Sequence, residues 1–134
     1  MKSNCVLISV WSKYAEMMCS GTKKVELRRS FPDFAMTVFV YECSPVGMVT
    51  GKILMPTIKK LPVDILWEQT KDISGVSKEQ FFEYFRGKEE GYGVFFSGFM
   101  SIAPRLITDF GLKKPPQNYA YLDPEVELKI ILNK

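Results

Sequence analysis

The apolar run Cys5-Val-Leu-Ile-Ser-Val10 predicts a buried strand, and Ser12 predicts the N-cap of a helix over residues 13–20. That helix carries Tyr14, Met17 and Met18 on one face, and Gly21 suits its C′ position. Residues 24–28 alternate charged and apolar with period two, which predicts a strand with one apolar and one charged side. After a turn at Phe31-Pro32-Asp33, residues 35–41 read as an apolar strand. Ser44-Pro45-Val46-Gly47 then turns into its hairpin partner over residues 48–56, with Gly51 marking a bulge. Pro62 suits the first residue of a short helix ending at Thr70. Ser77-Lys-Glu-Gln80 fits a capping box, opening a helix with a Phe81, Phe82 and Phe85 stripe that Gly87 ends. Residues 92–99 read as a strand, 104–110 as a loop or short helical piece, and 119–122 as a closing strand. The segment after Pro124, residues 128–132 above all, reads as an added edge strand or a frayed end.

Many short strands with little β-α-β alternation predict an α+β fold, a small, mostly antiparallel, partly closed β-barrel with helices at its rim. The expected organisation is one domain over residues 1–134, with a core over about 5–122 and a tail over 123–134. No internal repeat, low-complexity tract or linker interrupts it.

Composition narrows the chemistry. Of 134 residues, 46% are apolar and 13% aromatic, enough for a packed core. Net charge is +3 and the pI about 8.7, so the position of the charges matters more than their sum. No stretch reaches the roughly 20 apolar residues that cross a bilayer. Met1-Lys2-Ser3-Asn4 leads directly into the first strand without the pattern of a secretion signal, and Cys5, Cys19 and Cys43 are odd in number with no C-x-x-C spacing. A reduced, cytoplasmic setting is therefore expected, with the thiols acting as small hydrophobes. The chain has no histidine. That excludes Ser-His-Asp and Cys-His nucleophile pairs and histidine metal sites, and the expectation is no metal and no cofactor. Catalysis here would have to run on Lys, carboxylates, Tyr, Ser/Thr or a single Cys.

The densest candidate chemistry lies in Gly21-Thr-Lys23-Lys24-Val-Glu26-Leu-Arg28-Arg29. Strand periodicity puts Lys24, Glu26 and Arg28 on one side, with Lys23 leaning in from the preceding turn. Arg28 offers a planar donor fork for phosphate or a base edge, and Glu26 can hold that fork in place. The plain alternative is a solvated charged face with weak salt bridges. Trp11 and Ser12 sit at the strand-to-helix turn, where the indole can stack a base, as can Tyr41. Gln117 and Asn118 can read a base edge. Lys59-Lys60 and Lys113-Lys114 can track a phosphate backbone. Rim packing, a polar loop and solvated charges are the ordinary accounts of these same residues.

Ser9, Tyr14-Ala15, Gly21, Lys23, Glu26 and Arg28 together resemble the signature of the ASCH domain family, a helix leading into G-x-K-x-x-E-x-R. The resemblance extends over roughly residues 6–122 through Tyr41-Glu-Cys-Ser-Pro45, Gly51, Leu66-Trp-Glu-Gln-Thr70 and Pro115-Pro116-Gln117. It implies a PUA-like β-barrel with a cleft beside the first helix. It also implies RNA binding or a role in transcription regulation as the family's common occupations. Some small members are amidohydrolases that deacylate an acylated cytidine with a Lys, a Thr on the motif strand and a distant Glu. This chain keeps Lys23 but has Glu26 in place of that Thr, and Glu68 or Glu79 would have to serve as the distant acid. Three readings stay open. The first is an RNA or single-stranded nucleic-acid binding module. The second is a metal-independent hydrolase of a nucleoside or RNA, with Lys23 as base or charge stabiliser and Glu26 as its proton partner. The third is a protein-interaction module in a regulatory complex. No membrane partner is expected, and oligomeric state is left open.

Overall fold

The computed structural model describes residues 4–132. Met1-Lys2-Ser3, part of the stretch read for a secretion signal, and residues 133–134 at the end of the tail lie outside it. The elements are β1 (Cys5–Val10), α1 (Ser12–Ser20), β2 (Val25–Arg28), β3 (Thr37–Glu42), β4 (Met48–Leu54), β5 (Thr57–Pro62) and α2 (Val63–Thr70). There follow α3 (Lys78–Tyr84), β6 (Glu90–Phe95), β7 (Phe99–Arg105), a 3-10 turn at Ile107–Phe110, β8 (Tyr119–Tyr121) and α4 (Pro124–Leu132).

The fold is α+β, and its strands form two ladders. One sheet runs β7-β4-β3-β1-β8 and is mixed, because β1 pairs with β3 in parallel. The other runs β2-β6-β5 and is antiparallel. Among the described residues these ladders do not close into the expected barrel. The reason lies in residues 92–99, which do not make one strand. The chain leaves the small sheet after Phe95 and re-enters the large one at Phe99, so hydrogen bonding passes to new partners instead of continuing round.

Three apolar clusters explain the layers. Val6, Ile8 and Val10 of β1 and Val38 and Val40 of β3 pack with Met18 of α1 and Val94 of β6. On the opposite face of the large sheet, Leu7 and Phe39 pack with Phe110, Leu122 and Ile130. Both β1 and β3 are thus covered on both faces, which accounts for their continuous apolar runs. The third cluster puts Val25 and Leu27 of β2 against Leu66 of α2 and Phe81 and Phe85 of α3.

Several local readings change. Ser12 is the first helical residue rather than the cap: Trp11 takes the N-cap position and its carbonyl accepts from the Tyr14 and Ala15 amides. Gly21 closes α1 at φ 87°, as its place after the helix requires. The bulge falls at Thr50, beside Gly51, where the register steps from Val40↔Gly51 to Tyr41↔Val49. Pro62 ends β5 instead of starting the helix, on an edge strand where a missing N–H is tolerated. β5 itself, with Lys59 and Lys60 exposed, lacks the apolar alternation that marks a strand. The tail is helical rather than an edge strand, because Val126 and Ile130, one turn apart, cover the second cluster. No helix among the described residues is long and apolar enough to cross a membrane.

The capping box of α3 forms in full: Ser77 Oγ accepts from the Gln80 amide at 3.1 Å and Gln80 Oε1 accepts from the Ser77 amide at 2.9 Å. Ser77→Ala should lower unfolding free energy by about 1 kcal/mol. Urea denaturation checks this; an unchanged midpoint would show that α3 is held by Phe81 and Phe85 alone.

Candidate functional site

The turn after α1 is tied on both sides. The Lys23 amide donates to Met17 O at 3.0 Å, and the Lys24 amide donates to Ile73 O at 2.8 Å. This pairing turns Lys23 inward and Lys24 outward, so Lys23, 2% exposed, occupies the place that periodicity allotted to Lys24. Both sides of β2 are then buried. Val25 and Leu27 face α2 and α3, while Glu26 and Arg28 face a cavity with Lys23. The predicted charged side exists, but it is roofed by the fold rather than solvated.

The three side chains form one bonded cluster. Glu26 Oε2 accepts from Arg28 Nη2 at 2.5 Å, and Glu26 Oε1 lies 3.5 Å from Lys23 Nζ. The Lys23 ammonium also donates to the Ser74 carbonyl and sits 5.0 Å from the Tyr14 ring centroid. Gly75, at φ 76°, keeps the turn that presents Ser74 close to α1, where an added Cβ would meet Met17 Cε at 2.5 Å. Arg28 is more committed than its sequence position suggests. Nη1 donates to Asn118 O at 3.0 Å and to Asn118 Oδ1 at 3.1 Å, and Nη2 donates to Ser9 O at 2.9 Å as well as to Glu26. Its fork is therefore a brace joining β1, β2 and the loop before β8, not an open claw for a ligand.

Two cations against one carboxylate leave the cluster with a net positive charge. Burial pushes Lys23 below its ordinary value, with Glu26 pulling the other way. Burial alone would raise Glu26, but Arg28 and then Lys23 outweigh it and hold the carboxyl below its usual range.

Above this floor opens a cavity of about 940 Å³ between the start of α1, the turn after β3, α3 and the loop before β8. It gathers Trp11, Tyr41, Arg29, Gln117 and Asn118 round the three charged residues. Trp11 is 65% exposed and lies near-parallel to Tyr14, with centroids 6.2 Å apart and planes 17° apart. Gln117 is exposed at the mouth, while Asn118 is spent on Arg28 and on Ser30 O, 2.7 Å from its Nδ2. Arg29 is pinned at the edge, donating from Nη1 to Tyr84 O at 2.9 Å and to Arg86 O at 3.1 Å.

Other residues fall elsewhere. Ser12 does not line the cavity, and its buried Oγ has no hydrogen-bond partner among the described residues. Glu68 pairs with Lys71 on the exposed face of α2, and Glu79 is exposed on α3, so neither reaches the cavity as a distant acid. Lys59 and Lys60 belong to the far edge of the small sheet, and Lys113 and Lys114 precede the cavity loop without lining it. Sequence reasoning missed Tyr84 and Gln80 of α3 and Cys43 and Ser44 of the turn after β3, all of which line the wall. The capping box had located α3, but nothing local aimed it at residues 23–28. Among the described residues no group of His, Cys, Asp or Glu could hold a metal ion.

Removing the carboxylate should expose how much the cluster depends on it. Glu26→Gln leaves two buried cations facing each other and should cost about 3–5 kcal/mol of stability. The depressed Glu26 value contributes stability above the ordinary carboxylate range, lost as pH falls through its lower folded value. The parent should therefore lose stability on acidification more steeply than Glu26→Gln. Parallel acid limbs in urea titrations would contradict this.

No family model matches the chain. Over 133 residues it is 29% identical to an ASCH domain-containing ribonuclease of Zymomonas mobilis, spanning 93% of this chain and 88% of that one. The crystal structure of ASCH from Zymomonas mobilis superposes with a TM-score of 0.86 at 27% identity, covering 96% of this chain and 94% of the other. A serine-to-alanine mutant of the same protein gives 0.88 at 26% identity over 98% and 97%. The N-terminal domain of Staphylothermus marinus McrB, at 11% identity and a TM-score of 0.51, shares the fold alone. With most of its motif residues lining one cavity and nearly its whole length matched in this way, the chain is similar in sequence and in fold to ASCH domain proteins.

Proposed function

We propose that the cavity binds single-stranded RNA, holding a phosphate in the positive field above Lys23, Glu26 and Arg28 while a base stacks at the Trp11–Tyr14 shelf. The observation that carries this reading is the buried cluster with excess positive charge on the floor of a 940 Å³ cavity whose mouth holds an exposed indole. An exposed base is available to such a cleft in single strands but not in a duplex. The name of the ribonuclease relative supports RNA as the ligand class. Because Arg28 is spent on the protein, it acts by positioning the loop and Glu26. The exposed Gln117 amide and the Trp11 indole N–H, neither spent on the floor cluster, are the groups best placed to meet the ligand, with the buried Tyr41 ring as part of the wall.

Fluorescence anisotropy with a labelled single-stranded RNA tests the reading. Affinity should fall about tenfold between about 50 and about 200 mM salt, as expected when a few phosphates are neutralised. Trp11→Ala should weaken binding by about 1–3 kcal/mol, the usual worth of a stacked base. Binding indifferent to both salt and Trp11 would sink the proposal.

A second reading, RNA cleavage in the same cavity, is favoured by the relative's name and by the depressed Lys23. Without a metal, the ribose 2′-hydroxyl would give its proton to uncharged Lys23 as its oxygen attacks the adjacent phosphorus and the bond to the 5′-oxygen breaks, and the lysine ammonium so formed would return the proton to that departing oxygen. That step leaves a cyclic phosphate and a 5′-hydroxyl, with the two cations offsetting the phosphorane's charge. Cleavage should survive chelator, fail on a strand 2′-deoxy at the cut site, and disappear in Lys23→Met. Chelator-sensitive cutting, or equal cutting by Lys23→Met, would dispose of it. Deacylation of an acylated nucleoside has less support, since Glu26 stands where that chemistry uses a threonine and is locked between two cations.

A further inference from the structure

A second concavity of about 330 Å³ lies beside the first, walled by Phe34, Tyr92, Tyr119 and Tyr121, with Asp33 and Asn4 at its edge. The two share their chain segments. Arg28 and Arg29 line the first cavity and Phe31 to Phe34 line the second, with Ser30 between them. Likewise Asn118 lines the first and Tyr119 the second. The hydrogen bond from Asn118 Nδ2 to Ser30 O, 2.7 Å, ties these two shared segments together.

We infer that this second concavity is a subsite for a nucleobase carrying an exocyclic amine, taken from the same RNA strand whose phosphate lies in the main cavity; the inference rests on the RNA-binding reading above. Its lining suits a base and not a phosphate. Phe34 is 59% exposed, and the half-buried Tyr119 ring is held by tilted packing on Phe31, centroids 5.4 Å apart, and by edge-on packing against Tyr121 at 5.7 Å. The exposed Phe34 ring can stack a base, with the core-packed tyrosines as its fixed surround. The Asp33 carboxylate is exposed and is an acceptor only, which repels phosphate and pairs with an amino group such as that of cytosine. Lys60 lies 5.7 Å from the Tyr92 ring centroid, supplying positive charge at the margin where the backbone would leave.

The test compares a labelled cytidine-rich RNA decamer, its uridine-rich counterpart and a single nucleotide as ligands of the parent, Phe34→Ala, Asp33→Ala and Trp11→Ala proteins. Phe34 and Asp33 are exposed, so both variants should unfold at the parent's urea midpoint. Phe34→Ala should weaken the cytidine decamer about 5- to 100-fold and leave the nucleotide unchanged. Asp33→Ala should abolish a preference for the cytidine over the uridine decamer. If Trp11→Ala weakens the decamer while Phe34→Ala and Asp33→Ala bind like the parent, the subsite is refuted and the main cavity stands. If the parent binds no decamer, both fall together.

Discussion

Glu26 sits between two cations with little access to water, and the region around the cavity is organised by that placement. A carboxylate there is tolerable only because Arg28 and Lys23 neutralise it, and the two cations are tolerable only because Glu26 does the same for them. Each partner is then fixed by groups distant in sequence. Lys23 reaches the turn before α3, and Arg28 reaches β1 and the loop before β8. Four separate segments are thereby brought to one point. The cavity is what remains open above them.

This arrangement divides labour between floor and mouth. The floor supplies a fixed field, with donors and acceptors already paired, so it need not reorganise when an anion arrives. The mouth supplies the less committed groups, an exposed indole and an amide, while the buried Tyr41 ring forms part of the wall. Under the proposed reading, such a site would select for charge and ring shape before sequence, as single-strand binders commonly do.

Much of this was legible from local pattern. β1 could be read from its apolar run, α3 from its capping box, and the facing of Glu26 and Arg28 from strand periodicity, which put Lys24 where Lys23 turns in. What escaped was decided by partners far along the chain. β5 is a strand because β6 lies beside it, not because its own residues alternate. The break at 96–98 follows from β7 finding β4. Arg28 looked available for a ligand because the atoms that occupy its guanidinium belong to residues 9 and 118. The wall built by Tyr84 and Gln80 could not be seen, since no spacing rule relates α3 to β2.

The outer strand of the small sheet has one further consequence. A free strand margin offers its unpaired amides and carbonyls to any neighbouring chain, and apolar margins invite stacking into larger aggregates. β5 presents Lys59 and Lys60 there and ends in Pro62, which has no amide to give. Two approaching copies would meet charge against charge and an interrupted ladder. On that side strand-by-strand growth into a fibre is disfavoured, by the same residues that hid the strand from view.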